Sequence, residues 1–442
     1  MRQRRRAGGG DVARFLGVPF AEAPTGARRF TPPEPRAAFS EPFEASAYGA
    51  TPQRGRPFEF TTIPEHSIPG EDSLNLNVFA PVGAESLPVL VYLHGGGYVT
   101  GAASSDWHEG SAFARDGVIV VTASYRLGVD GFGAVDGDAN RGVRDWLQAL
   151  RWVRANIPAF GGDPDRVTIA GQSAGGGAVL TLLGCLEAQP LFARAVAISP
   201  TDRSVPLAEA EEQLAAFAHS LGVEPTAEGL ASLDRDELSE TVALTMMPGS
   251  AHSIVLAPVS GDALLPLPVA EATAHVGRGT PLLIGATADE FDSPRVERAE
   301  GAPPRATDLL FRRSVAQAAR NRGPGPTWLY SFEWVSPVVG GAAHCLDLPF
   351  LFDHLDAEGT ARVLGGAAPQ ALADVMHGEL VSFVRGEEPH WPAARGAAGD
   401  AVRVYDVAPS VVHGRFDDVL PLTAEPQAVT PQPAPPSRST VA

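Results

Sequence analysis

The chain contains no lysine: its 34 basic residues are all arginine. That absence excludes the chemistries that need an ε-amine, namely the Walker A phosphate lysine, the kinase phosphate-binding lysine, the Schiff-base lysine and the Ser–Lys dyad. A GC-rich genome, which encodes much Ala, Arg, Gly and Pro, accounts for it. Cysteine is almost missing as well, with only Cys185 and Cys345 in 442 residues. A disulfide framework is excluded, one bridge is conceivable, and two reduced thiols are the expected state. There is no H-E-x-x-H sequence and no paired Cys/His cluster, so no metal and no cofactor is expected. No apolar run approaches the roughly 18 residues that cross a bilayer. A formal net charge of −18 repels nucleic acid and anionic membrane surfaces, and neither is an expected partner. The one basic cluster, residues 2–6, is short and terminal, and no apolar h-region follows it. A cytoplasmic location is therefore expected, or secretion if the start is misassigned.

What is present is ordinary for a large globular core, with 44% hydrophobic and 19% charged residues. The first half reads as strands alternating with helices, the pattern of a mostly parallel sheet covered on both faces. Residues 89–93 form a continuous apolar run, as a strand buried on both sides should. Residues 118–123, 167–170 and 281–284 read as further strands. Apolar residues at 143, 146, 147, 150 and 153 have helical spacing, which predicts a helix over 143–157. From about 208 to 244 the character changes to Ala- and Glu-rich amphipathic helix, and 305–320 looks similar. The predicted organisation is one catalytic unit over 11–424, with cap insertions at about 201–260 and 292–335. Residues 1–10 and the Pro-, Ala- and Ser-rich 425–442 are expected to be disordered.

Chemistry concentrates at Gly171-Gln172-Ser173-Ala174-Gly175, the one G-x-S-x-G match. With 47 glycines in the chain the match alone says little; its context says more. It follows the strand at 167–170 and precedes a small-residue helix start, and a strand-to-helix turn between glycines is what exposes a nucleophilic serine. A Gly-rich turn with an incidental serine is the bland alternative. A serine hydroxyl needs a base to take its proton and donors to hold the oxyanion that follows. His94-Gly95-Gly96-Gly97, just after the strand ending at Leu93, offers such donors, and the N–H groups of Gly96, Gly97 and Ala174 are the expected oxyanion hole. His94 itself reads as a loop-packing residue, because chain order in this fold puts the base last.

Taken together, these residues resemble the type B carboxylesterase family, which includes the cholinesterases and bacterial para-nitrobenzyl-type esterases. The resemblance runs from about residue 15 to 406. It is carried by Phe15-Leu16-Gly17-Val18-Pro19-Phe20-Ala21, Arg29-Phe30, Glu71-Asp72-Ser73-Leu74-Asn75-Leu76-Asn77-Val78, residues 94–101, Tyr125-Arg126-Leu127-Gly128 and Phe160-Gly161-Gly162-Asp163-Pro164. It implies the α/β-hydrolase fold and a triad in the order Ser, Glu, His. The family's acid loop matches at Gly285-Ala286-Thr287-Ala288-Asp289-Glu290, on Glu290. Its histidine loop matches at residues 341–350, on His344. Glu290 lies just beyond the carboxyl end of a predicted strand, where open α/β sheets place ligands. A helix cap at Asp289-Glu290 and a surface role for His344 are the bland alternatives. The resemblance also implies a buried ion pair between Arg29 and Glu71.

Several departures carry consequences. Gln172 stands before the nucleophile where the family usually has Glu, which removes a charge near the imidazole and favours neutral esters over choline-like ones. Ser73 stands where many members have cysteine, so the usual first disulfide loop is absent. Ile198-Ser199-Pro200 keeps a serine expected to support the acid. The chain begins close to the first motif, so the expectation is that either an early strand pair is missing or the start codon is misassigned. The function implied is hydrolysis of a small-molecule carboxylic ester through an acyl-enzyme. The same triad can serve amides, carbamates, lactones or a biosynthetic acyl transfer. A non-catalytic binding protein is disfavoured, because every triad position holds a competent residue.

Overall fold

The computed structural model describes residues 11–52, 62–245, 254–296 and 302–424; the expectations for 1–10 and 425–442 fall outside them. Its frame is a sheet of ten strands: β1 Val12–Pro19, β2 Asn75–Pro81, β3 Leu87–Leu93, β4 Ile119–Ala123, β5 Gly162–Gln172, β6 Arg194–Ile198, β9 Leu282–Thr287, β10 Thr327–Phe332, β11 Ala401–Tyr405 and β12 Ser410–His413. Two short strands, β7 Val205–Pro206 and β8 Val259–Ser260, pair apart from it. The spatial order is β1-β2-β4-β3-β5-β6-β9-β10-β11-β12. The centre from β4 to β11 is parallel, and antiparallel pairs close both edges, β1–β2–β4 on one side and β11–β12 on the other.

The continuous apolar run at 89–93 has its explanation here. Val89, Val91 and Leu93 enter one hydrophobic core, whereas Leu90 and Tyr92 enter a second on the opposite face. Alternate side chains leave a strand on opposite faces, so a sheet covered on both sides needs apolar residues at every position. Helices α1 Arg141–Asn156, α2 Ala174–Leu183 and α5 Arg313–Arg322 and, on the other side, α6 Gln370–Arg385 supply the covering layers. The predicted helix at 143–157 is α1, shifted by a residue or two.

The first predicted insertion, about 201–260, contains helices α3 Leu207–Ser220 and α4 Arg235–Thr245. The β7–β8 pair, with Val205 opposite Val259, closes it at its base. The second, about 292–335, needs correction. Thr327–Phe332 is β10, a central strand between β9 and β11 and buried at every position. A six-residue strand close after an amphipathic helix carries no sequence mark of where the insertion stops. Helix α5, preceded by the π-helical turn Asp308–Arg312, packs against β9 and β10 and so belongs to the sheet's covering layer.

The expected Arg29–Glu71 pair is a further correction. Arg29 is buried, but its partner is Asp130 on the short helix Gly128–Phe132, at 3.0–3.2 Å through two guanidinium nitrogens. Glu71 is exposed, in a turn closed by a hydrogen bond from the Ser73 N–H to the Glu71 carbonyl. Arg126 and Asp145 form a second buried bidentate pair, at 2.7–2.9 Å.

Candidate active site

Strand β5 ends at Gln172 and α2 begins at Ala174, leaving Ser173 alone at the turn with φ 59° and ψ −121°. A non-glycine residue there costs on the order of 1–3 kcal/mol and persists only where its surroundings hold it. Those surroundings are explicit: the Ser173 N–H donates to the Ile198 carbonyl, and the Gly177 N–H to the Ser173 carbonyl, both at 2.9 Å. The flanking glycines are required because backbone fills the space of their missing side chains. A Cβ at Gly171 would lie 2.3 Å from the Gly175 carbonyl oxygen, and one at Gly175 would lie 2.0 Å from that of Leu93.

The serine Oγ is 2.9 Å from Nε2 of His344. The other ring nitrogen, Nδ1, is hydrogen-bonded to Glu290 Oε2. Glu290 is buried, its Oε1 accepts the Thr287 N–H at 2.8 Å, and its carbonyl accepts the His344 N–H at 2.9 Å. With the carboxylate accepting at Nδ1, that nitrogen carries the proton and Nε2 presents its lone pair to the serine. Gln172 Nε2 also meets His344 Nε2, at 3.2 Å, and suits the same tautomer as a second donor. Burial by itself would lower the imidazole's pKa; the Cys345 sulfur and the Glu290 carboxylate oppose this and leave it well above its ordinary value. Phe291 and Phe311 bracket the ring at 4.8 Å each.

The neighbouring carboxylates are engaged elsewhere. Asp289 pairs with Arg295 at 2.7 Å and with Arg305 at 3.4 Å, and accepts the Ala342 N–H at 2.9 Å. Asp292 accepts the Thr307 N–H. Asp262 accepts from Asn140 and from the Leu265 N–H. Ser199 differs from expectation. Its N–H donates to the Gly285 carbonyl and its φ is 43°, but its buried Oγ meets no partner, so it makes no hydrogen bond to Glu290.

Gly96 and Gly97 follow β3 with φ of 108° and 61°, a conformation that favours glycine. Neither their N–H groups nor that of Ala174 is taken up by a hydrogen bond among the described residues. All three residues line one cavity of about 640 Å³ together with Ser173 and His344. His94 packs beneath the loop, buried and stacked on Tyr125 at 4.3 Å, and burial lowers its pKa to about 4. The rest of the wall was not legible in the sequence: Ile254, Leu256, Phe291, Leu310 and Phe311 make it apolar, and Glu65 and Arg203 add charge. The two cysteines are free and buried.

The carboxylesterase family model matches residues 2–300, about two thirds of the chain. The chain is 33% identical to the para-nitrobenzyl esterase of Bacillus subtilis, over 86% of this chain and 89% of that protein. The chain belongs to the carboxylesterase family. It is 32% identical to the phenmedipham hydrolase of Pseudarthrobacter oxydans over 86% of this chain and 89% of that one. Among solved structures, a thermophilic PNB esterase matches with a TM-score of 0.82 and 30% identity, covering 94% of this chain and 97% of the other. The fold is that of the α/β-hydrolases, and the activity of the chain is serine-dependent hydrolysis of carboxylic esters. No helix among the described residues is long and apolar enough to cross a membrane, and none of their His, Cys, Asp and Glu side chains cluster as a metal site.

Proposed function

We propose that Ser173 is the nucleophile of this esterase, His344 its general base and acid, and Glu290 the group that orients the imidazole. As the Ser173 Oγ–carbon bond forms, the serine proton passes to His344 Nε2, and Glu290 stabilises the imidazolium. The substrate oxygen becomes an oxyanion facing the N–H groups of Gly96, Gly97 and Ala174, preorganised donors of a kind worth about 10²–10³ in rate for each one removed. Collapse breaks the ester C–O bond, and the alcohol leaves with the proton held by His344. Water then attacks the acyl-enzyme, gives a proton to His344, and the acid departs as Ser173 regains its hydrogen. The observation that carries this reading is the 2.9 Å contact between Ser173 Oγ and His344 Nε2 on the wall of the cavity.

The apolar side chains around the cavity suit a small-molecule ester with a hydrocarbon acyl or alcohol part. We take residues 11–424 as the catalytic unit. We also propose a cytoplasmic location, which the two unpaired thiols support, since a reducing compartment favours that state. The test of function is turnover of a short-chain nitrophenyl ester beside its matching amide, with an organophosphate counting active serines. Rapid ester turnover with one label at Ser173 is expected. Labelling at another residue, or turnover that survives loss of Ser173, would overturn the assignment.

A further inference from the structure

The cavity wall carries two charged groups that no step above uses, Glu65 and Arg203. They are unequal. Arg203 is exposed and open to screening by salt. Glu65 is half-buried and fixed in place: its Oε2 accepts the Gly101 N–H at 3.1 Å and the Thr100 hydroxyl, on the turn that follows the oxyanion-loop glycines. The other oxygen, Oε1, accepts no hydrogen bond among the described residues. No cationic side chain there sits close enough to lower its pKa. Among the described residues, no cationic side chain pairs with this carboxyl group.

We propose that Glu65 is a specificity-determining residue of this esterase and binds an ammonium or protonated-amine substituent on the substrate. The proposal rests on the reading above only in taking this cavity as the place where the ester binds. A chain of net charge −18 draws cations toward its surface and repels anions, the same preference that an ionised Glu65 would express. Gln172 puts a neutral amide at the Nε2 edge of the imidazole, which in the sequence pointed to neutral esters; Glu65 returns a carboxyl to the cavity at a different position.

Burial raises the Glu65 pKa to about 7. Selectivity for cations therefore appears as pH rises through about 7, where the carboxyl ionises, and fades below it. Two buried histidines nearby do not mimic this change, and the Glu65→Gln variant separates Glu65 from every other group. His94 and His108 are buried, with pKa values lowered to about 4 and about 3. The Tyr125 hydroxyl donates to the His94 carbonyl. His66, on the loop beside Glu65, is exposed and paired with Glu358 at 3.3 Å. His344 titrates for every substrate alike, so a ratio of two substrates cancels it.

The experiment compares a choline butyrate with its carbon isostere, 3,3-dimethylbutyl butyrate, in the wild type and in Glu65→Gln at pH 6 and pH 8. Organophosphate titration counts active serines in both proteins. In the wild type the cationic-to-neutral ratio of kcat/KM is expected to rise about tenfold between the two pH values, the scale of one partly desolvated charge pair. In Glu65→Gln the ratio is expected to stay low at both. The wild-type pH series tests the proposal even if the variant folds poorly. A ratio that ignores pH, an equal loss for both esters in the variant, or a preference for an anionic hemisuccinate ester would overturn it. Failure of both esters to turn over at fully labelled serines would instead defeat the esterase reading itself.

Discussion

Gln172 Nε2 lies 3.2 Å from His344 Nε2, the same nitrogen that faces Ser173 Oγ at 2.9 Å. The imidazole therefore has a neutral amide, and not a carboxylate, at its reacting edge. His344 already titrates above its ordinary range. A negative charge at 172 would favour the imidazolium further. Catalysis needs the free base, so the acid limb of kcat/KM should move to higher pH in Gln172→Glu. Two pH–rate profiles on one neutral ester check this. Coincident limbs, or a limb displaced to lower pH, would show that position 172 does not couple to the imidazole.

Members of a triad fail together. Ser173→Ala and His344→Ala are each expected to lower kcat by about 10⁶, to the same residual rate, and the double variant should be no slower. Single-turnover assays on purified variants, with wild-type carry-over excluded, provide the comparison. A His344→Ala protein that keeps a tenth of wild-type activity would remove that residue from the mechanism.

Adjacent acids separate by role. Glu290→Gln keeps the shape but loses the charge beside Nδ1, and kcat should fall about 10⁴. Asp289→Asn leaves the imidazole alone while weakening the contacts of a buried carboxylate to Arg295 and Arg305. It should lower stability by about 2 kcal/mol or more and change kcat less than tenfold. Reversed effects on kcat would exchange the two assignments.

The parts of this site legible in the sequence are those fixed by local geometry. Gly171 and Gly175 could be read because backbone passes within 2.3 Å of where their Cβ atoms would stand, and only glycine satisfies that. Strand β3 could be read because it is buried on both faces. The end of the second insertion could not, since β10 is a six-residue run that becomes a strand only through β9 and β11. Glu65 was equally hidden: nothing in residues 62–68 marks it until the fold brings it against Thr100 and Gly101. Arg29 shows the same limit in its sharpest form, because its partner is 101 residues away, among 52 acidic side chains.

That partner yields the last prediction. Asp130 is held by Arg29 at 3.0–3.2 Å and touched by Arg235 at 3.5 Å, so its removal leaves a buried guanidinium without its carboxylate. Breaking one side of such a pair typically costs about 3–5 kcal/mol, much of it the desolvation of the charge left behind. Asp130→Ala should therefore shift the denaturant midpoint strongly. Glu71→Ala, at an exposed position, should stay within about 0.5 kcal/mol of wild type. Removing both charges with packing residues, Arg29→Met with Asp130→Leu, should recover much of the loss, because no buried charge then lacks a partner. The measurement is a set of urea or guanidinium unfolding curves on the three variants and the wild type. A larger loss from Glu71→Ala than from Asp130→Ala would restore the Arg29–Glu71 pair that the resemblance implied. An Asp130→Ala protein as stable as the wild type would show that Arg29 reaches solvent or another carboxylate when its partner is gone.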